Sequence, residues 1–178
     1  AARPKKQKPY KAVDTSTLAM HVANAIECEN PDAVFVDGAG VGGGVIDRLR
    51  QLGYRVIEVQ SGEKADASDK YLNKRVEMWG LMREWLKTGC LTKNEQLEGE
   101  LIAPEYEITP KGQVKLETKE NMKKRGVASP DFADALALTF AHKVGYKADL
   151  SREKIKRESA FDRRNEWFGG RIDGGWMI

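Results

Sequence analysis

The chain has 178 residues, of which 40% are hydrophobic and 32% are charged, and its formal net charge is +3. This length suits one domain with its own core, or one domain and a tail. No apolar run approaches the roughly 20 residues of a membrane span, and the basic start lacks the apolar segment of a secretory signal. The two cysteines lack CxxC spacing and exclude a disulfide scaffold, so we expect a cytoplasmic protein without membrane partners.

The first half of the sequence is typical of a helix followed by a β-α-β unit. Asp14 or Thr15 can cap a helix that runs to about Glu29 with one apolar stripe. A short buried strand, a helix and a second strand are predicted next, over residues 33–36, 41–52 and 55–59. Because a helix connects them, the two strands should be parallel.

The second half is predicted to contain three helices and a β-hairpin. A long helix runs from about Asp69 to Lys87, and Gly80 inside it indicates close packing at that turn. A shorter helix and the two strands of the hairpin follow, at residues 95–102, 105–108 and 113–117. Ser129 is predicted to cap the last helix, which runs to about Val144 and precedes a charged, partly disordered tail.

Three aspartates mark a candidate metal site. Asp37 ends the first buried strand, and open α/β sheets build their sites at the carboxyl ends of strands. Asp131 and Asp134 lie three positions apart on the last helix and therefore share one face. Carboxylate ligands select Mg²⁺ or Mn²⁺, and two such ions can activate a water and stabilise the leaving oxygen of a phosphodiester. The pattern predicts hydrolysis of a nucleic-acid backbone.

Each aspartate also has a purely structural explanation. Asp37 could begin a turn, and Asp131 could favour the dipole of its helix. Residues 38–43 also fit the GxGxxG pattern of dinucleotide-binding folds, with Glu58 near the position of the ribose ligand. Against that interpretation, Asp37 lies where the pyrophosphate would arrive and would repel it. No GxxxxGK[ST] motif for ATP binding occurs in the sequence.

Basic residues cluster at the start of the chain and again over residues 111–125. A solvated surface explains such clusters, but beside a carboxylate site they favour contacts with phosphates. The candidates for phosphate contact are Lys64, Lys74, Arg75, Lys119, Lys123, Lys124 and Arg125.

Four segments carry a resemblance to a known family: residues 32–49 (DAVFVDGAGVGGGVIDRL), 73–79 (NKRVEMW), 116–125 (LETKENMKKR) and 129–138 (SPDFADALAL). In combination, over residues 12–144, they resemble the C-terminal nuclease domain of a tailed-phage terminase large subunit, the protein that packages viral DNA. The segment DFADALA also resembles the closing motif of Holliday-junction resolvases, which share the ribonuclease-H-like fold.

The resemblance implies an α/β, ribonuclease-H-like mixed sheet flanked by helices, with an added β-hairpin and a flexible C-terminal tail. Residues 1–148 would form the nuclease domain, incomplete at its N-terminus, and residues 149–178 the tail. The implied activity is endonucleolytic cleavage of double-stranded DNA by two-metal-ion hydrolysis, with Asp37 and Asp131 as ligands and Asp134 beside them. The implied partners are an upstream ATPase domain, the portal or procapsid and the small terminase subunit, in the cytoplasm of an infected or lysogenic bacterial host.

One departure from the family concerns the start of the chain. Family members hold a further catalytic aspartate on the first strand of an antiparallel meander, but only about a dozen residues precede the first helix here, and Asp14 belongs to its cap. We therefore expect a nuclease domain without its leading strands, which binds metal weakly and cuts DNA poorly. The alternatives are a Holliday-junction-resolvase-like nuclease, which would need a dimer and branched DNA, and a nucleotide-binding or structural packaging module.

Overall fold

The computed structural model describes residues 9–10 and 12–145. Contacts divide the chain into two units at Lys143 and Val144, and the described helices and strands all belong to the first. The predicted tail and its boundary after residue 148 lie outside the described residues. No helix in the described ranges is long and apolar enough to cross a membrane.

Six helices and four short strands make up the described part of the chain. The helices are α1 (Thr15–Glu29), α2 (Gly42–Gln51), α3 (Lys74–Leu86), α4 (Glu95–Ile102), α5 (Lys119–Lys124) and α6 (Asp131–Leu138). The strands are β1 (Phe35–Asp37), β2 (Ile57–Val59), β3 (Tyr106–Ile108) and β4 (Val114–Leu116). This mixture of helices and small sheets confirms the predicted α/β class.

The predicted β-α-β unit is confirmed. β1 and β2 pair in parallel, with Asp37 opposite Val59, and α2 connects them. The preceding helix also begins where it is predicted, because the Asp14 carboxylate accepts a hydrogen bond from the Thr17 amide at 2.9 Å. Asp14 is therefore a helix cap, as its position in the sequence indicates.

Side chains alternate along β1 and point to two different helical layers. Val36 packs against the apolar cluster between α1 and α2, whereas Phe35 packs on the other side against the main core. The main core consists of Val59, Met78, Trp79, Met82, Leu97, Ala133, Leu136, Ala137 and Ala141. Asp37 follows Phe35 by two positions, so the strand directs it to the same side, toward α3 and α6.

The helix predicted over residues 69–87 is shorter than expected at its start. Asn73 ends the preceding loop and caps α3 by accepting the Val76 amide at 3.0 Å. Residues 69–73 carry the same apolar periodicity as the helix, but the cap stops the helix from extending through them. Gly80 is packed closely, as predicted, since a Cβ at this position would lie 2.5 Å from the Tyr71 ring.

The β-hairpin is confirmed, because β3 and β4 pair antiparallel and Gly112 makes the turn with φ of +79°. The chain then forms α5, which periodicity does not reveal because only Met122 of its six residues is buried. Thr118 caps α5 by accepting the Asn121 amide at 3.2 Å.

The last helix differs from its prediction at both ends. Pro130, and not Ser129, occupies the position before α6, and the helix stops at Leu138 instead of Val144. Beyond Leu138, consecutive hydrogen bonds from each amide to the carbonyl three residues earlier tighten the chain into turns.

A buried ion cluster fastens the loop before α3 to that helix. The Lys74 side chain is 6% exposed, and its ammonium donates to Glu77 at 2.8 Å and to Asp66 at 2.7 Å. Glu77 also accepts the backbone amides of Asp66 and Ala67. The prediction that Lys74 contacts phosphate is therefore corrected, because its charge is buried and already paired with two carboxylates.

The charges in this cluster stabilise each other. Burial alone would raise the pKa of Glu77, but hydrogen bonds from Lys74 and from the two loop amides outweigh it, and the pKa lies below its ordinary value of 4.5. Burial would lower the pKa of Lys74, but its hydrogen bonds to Asp66 and Glu77 raise it. Both side chains therefore remain charged in the folded protein near neutral pH.

We predict that Glu77→Gln lowers the free energy of unfolding at neutral pH by about 3 kcal/mol, because it leaves the buried Lys74 with one carboxylate partner instead of two. Since the folded-state pKa of Glu77 is lowered, its stabilisation is present above about pH 4.5 and is lost as the pH falls through the folded pKa. Urea titrations at several pH values should therefore show a steeper acid loss of stability in wild type than in E77Q. The exposed Glu98→Gln serves as the control, and identical acid slopes for wild type and E77Q would contradict this prediction.

Candidate active site

A cavity of about 470 Å³ lies where β1, α3, α5 and α6 meet. Asp37, Asp131 and Asp134 all line it, so the structure brings together the three aspartates that the sequence predicts as metal ligands. The other lining residues are Ala39, Ser61, Arg75, Met78, Trp79, Lys119, Ala135, Ala137 and Leu138. Carboxylates and cations therefore share one cavity.

The Asp37 carboxylate is held by neutral donors. Its Oδ1 accepts the Ala39 amide at 3.1 Å, and its Oδ2 accepts the Ser61 hydroxyl at 3.2 Å. Ser61 follows β2, and its carbonyl accepts the Arg75 amide at 2.9 Å, which ties this loop to the start of α3. These bonds orient the carboxylate without neutralising its charge.

The glycines after Asp37 have a packing explanation. A Cβ on Gly42 would lie 1.7 Å from the Asp37 carbonyl oxygen, so glycine is needed for α2 to start this close to β1. Glu58, the expected ribose ligand of a dinucleotide site, is paired with Arg50 at 3.3 Å and accepts a hydrogen bond from the side-chain Nε2 of Gln60 at 2.8 Å. Gly38, the first glycine of the GxGxxG segment, is also packed closely, since a Cβ there would lie 2.4 Å from the side-chain nitrogen of Gln60, and this packing needs no bound dinucleotide.

The first turn of α6 is fixed by a side chain from another helix. The residue at its cap position is a proline, which offers no side-chain acceptor. Glu100 of α4 fills this role, because its Oε2 accepts the amides of Phe132 at 2.6 Å and Ala133 at 3.1 Å. Asp131, in the same turn, is exposed and accepts the Ser129 hydroxyl at 2.7 Å. Glu100 therefore holds the backbone that carries Asp131.

Asp134 has different partners from the other two aspartates. Its Oδ1 accepts the Trp79 indole N–H at 2.8 Å and the Arg75 Nε–H at 3.2 Å. Its Oδ2 lies 2.8 Å from the Lys119 ammonium. Arg75 also donates to the Glu117 carbonyl at 3.2 Å and is 16% exposed, so it is held on two sides. Asp134 is thus the only one of the three predicted ligands that is paired with cations among the described residues.

Only Arg75 and Lys119, of the predicted basic residues, lie at the cavity. Arg125 folds onto Glu117 at 2.6 Å and onto Glu105 at 3.1 Å, and its hydrogen bond holds the pKa of Glu117 below its ordinary value. Three further predicted residues are exposed and do not line the cavity: Lys64, Lys123 and Lys124.

No protein-family model and no curated protein sequence matches the chain. Solved structures do match, and they include the nuclease domain of the large terminase subunit of bacterial virus Sf6. That domain has a TM-score of 0.62 and 20% identity, over 76% of this chain and 75% of that chain. The chain has the fold of a terminase nuclease domain. A lysine-to-alanine mutant of the Sf6 domain with manganese gives a TM-score of 0.58 and 21% identity, over 75% of each chain. A mutant of the Sf6 protein with calcium gives 0.55 and 21%, over 74% of each.

This terminase-nuclease fold confirms the ribonuclease-H-like class that the sequence predicts. At 20% identity the likeness establishes the fold, and the activity depends on the residues at the cavity. Sequence reasoning missed Ser61 and Glu100, and it assigned Trp79 to the core alone. Ser61 could have been found, because it follows the strand next to β1 on the same sheet edge. No local signal connects Glu100 to α6.

The cavity suits a hard divalent cation in part. Carboxylate oxygens are ligands of Mg²⁺ and Mn²⁺, and Asp37 and Asp131 accept hydrogen bonds from uncharged donors in the described part of the chain. The described residues contain no group of three or more histidine, cysteine, aspartate or glutamate side chains that could hold a metal. Asp37 and Asp131 therefore supply carboxylate oxygens at one cavity without forming a three-residue metal group within the described ranges.

We predict opposite effects for alanine at two adjacent glycines of α2. Gly42→Ala should lower the free energy of unfolding by about 2 kcal/mol and displace Asp37, because the new Cβ overlaps the Asp37 carbonyl. Gly43→Ala meets its nearest atom at 3.8 Å and should stabilise the helix by about 0.5–1 kcal/mol. Chemical denaturation measures both. A G42A protein as stable as G43A would show that the close approach of α2 to β1 is wrong.

Proposed function

We propose that the chain is the metal-dependent endonuclease module of a viral DNA-packaging terminase, and that it hydrolyses double-stranded DNA. The observation that carries this proposal is the shared cavity, where Asp37 and Asp131 lie with Arg75 and Lys119 in a terminase-nuclease fold. Carboxylates and cations in one cavity suit a substrate that is itself an anion and a reaction that needs a divalent ion.

Asp37 and Asp131 would hold the ion, which is Mg²⁺ or Mn²⁺ in this proposal. The Sf6 structures with manganese and calcium support divalent ions as the class. When bound, two such ions activate a water and stabilise the leaving oxygen of the phosphodiester. The protein contributes orientation: Ser61 and the Ala39 amide fix the Asp37 carboxylate, and the cap from Glu100 fixes the turn of Asp131.

Arg75 and Lys119 would bind the phosphate beside the carboxylates. Arg75 is held by Asp134 and by the Glu117 carbonyl, so its planar guanidinium is placed before the substrate arrives. Lys123 and Lys124 are exposed on the same short helix as Lys119 and would extend the contact along the DNA backbone. Lys64 and Arg125 complete the proposed set, although Arg125 must then leave its carboxylate partners.

The wider setting of the chain is part of the same proposal. We propose an upstream ATPase domain, the portal or procapsid and the small terminase subunit as partners, and the cytoplasm of the bacterial host as the location. The described residues give no specific support to the Holliday-junction alternative, and Glu58, the expected ribose ligand of the dinucleotide alternative, is already paired with Arg50.

We predict slow, Mn²⁺-dependent cleavage of plasmid DNA that Asp37→Asn and Asp131→Asn each lower by on the order of 100-fold or more, because each removes a ligand charge. The control is Asp47→Asn, on the exposed side of α2, which should cleave like wild type. Thermal melting verifies that the variants fold. Cleavage that needs no metal, or that survives in D37N, would refute the proposal, and a linear-versus-four-way substrate comparison separates it from a resolvase.

We predict that the double variant K123A/K124A weakens duplex binding and reduces the slope of log affinity against log salt by up to about 1.8, since each phosphate contact contributes about 0.9. A matched double variant at the exposed Lys87 and Lys93 should keep the wild-type slope. Fluorescence anisotropy with a labelled duplex at several salt concentrations measures both. An unchanged slope in K123A/K124A removes these two lysines from the DNA contact.

A further inference from the structure

We infer that Asp134 is a positioning residue, which holds Arg75 and Lys119 at the cavity for the substrate phosphate and is not itself a metal ligand. This role rests on the proposed nuclease function, because it concerns the same cavity and the same phosphodiester. It departs from the sequence prediction, in which Asp134 shares the ligand role with Asp37 and Asp131.

The oxygens of Asp134 are already engaged. A carboxylate offers about four acceptor positions. Trp79 and Arg75 take two at Oδ1, and Lys119 lies against Oδ2 at 2.8 Å. One position remains at Oδ2, and a metal ion bound there would lie beside the Lys119 ammonium, which repels it.

The charges around Asp134 also argue against a metal ion bound to it. One carboxylate, Asp134, faces two cations, so this group of three carries a net positive charge that repels a divalent ion. A phosphodiester carries one negative charge and would complete the balance. Asp37 and Asp131 accept hydrogen bonds from the uncharged hydroxyls of Ser61 and Ser129 and present a negative potential on the same cavity. The cavity is thus divided into an anionic part for metal and a cationic part for phosphate.

Arg75 is the residue through which Asp134 acts most directly. Its Nε–H bonds to Asp134, its Nη1 donates to the Glu117 carbonyl, and its guanidinium lies 5.8 Å from the centre of the Trp79 ring. Its Nη2 lies 3.2 Å from the Asp134 Oδ1, but it is buried and makes no aligned hydrogen bond. Because Arg75 lines the cavity and its guanidinium is held at two atoms, it is placed to receive a phosphate oxygen.

Hydrogen bonds through Ser61 also connect Arg75 to the metal side of the cavity. The Arg75 amide donates to the Ser61 carbonyl, and the Ser61 hydroxyl donates to Asp37. The positions of the guanidinium and of the Asp37 carboxylate are therefore set by one connected loop. A shift of Arg75 changes where the phosphate lies relative to the metal ligands.

The first experiment separates a ligand from a positioning residue. Mn²⁺ is added to the ¹⁵N-labelled full chain, and paramagnetic broadening of the amides around the cavity is recorded. We expect D131N to lose the broadening and D134N to retain it at the same Mn²⁺ concentration. If D134N loses it as completely as D131N does, Asp134 is a ligand and the inference is overturned.

The second experiment uses cleavage kinetics. D134N should lower kcat for plasmid nicking by about tenfold or more without raising KM. The charged side chains of Arg75 and Lys119 remain in this variant, but no carboxylate holds them in position. Arg75→Lys should lower kcat by a similar factor. The double variant R75K/D134N should be no slower than the slower single variant, since both substitutions break the same contact between Arg75 and Asp134. If the fold-decrease in kcat of the double variant equals the product of the two single decreases, the inference is overturned.

A third measurement keeps the inference separate from the proposed function. If wild type shows neither Mn²⁺ broadening nor cleavage, the nuclease proposal fails. The positioning role of Asp134 is still tested in the metal-free protein. There, D134A should speed the solvent exchange of the Trp79 indole N–H and leave that of Trp85 unchanged. An unaltered Trp79 signal would show that Asp134 does not hold this side of the cavity.

Discussion

The direction of three consecutive side chains on β1 decides where the site can form. Because the strand alternates, Val36 goes to the helical layer of α1 and α2, while Phe35 and Asp37 go to the layer of α3 and α6. A shift of one residue in the pairing with β2 would bury the carboxylate on the wrong side and remove it from the cavity. The apolar residue before Asp37 therefore does as much to place it as the glycine turn after it.

Local signals allowed most of the fold to be predicted. The parallel strand pair, the hairpin and the cap at Asp14 follow from periodicity, connection length and a single hydrogen-bonding side chain. The errors arose where two local signals competed. Apolar spacing continues through residues 69–73, but Asn73 ends the loop, and Ser129 has the composition of a cap although Pro130 takes that position.

Of the candidate site, the sequence predicted the three aspartates and two of the basic residues, Arg75 and Lys119. Their positions at a strand end and on one helical face brought Asp37 and Asp131 to one cavity. Their surroundings depend on contacts between distant segments, so the sequence does not distinguish Lys74 from Lys119. Both are lysines near the start of a helix, yet one is buried in an ion cluster and the other is 47% exposed at the cavity. Tertiary burial, which has no local signature, separates a structural charge from a functional one.

The cap from Glu100 makes the geometry of the site depend on α4. A single carboxylate connects this helix to the amides of the turn that bears Asp131, and a short hydrogen bond transmits displacement without an intervening layer of side chains. At the end of the same helix, Ile102 is 86% exposed. A change in the packing of α4 would therefore change the direction of the Asp131 carboxylate, although α4 itself contributes no residue to the lining of the cavity.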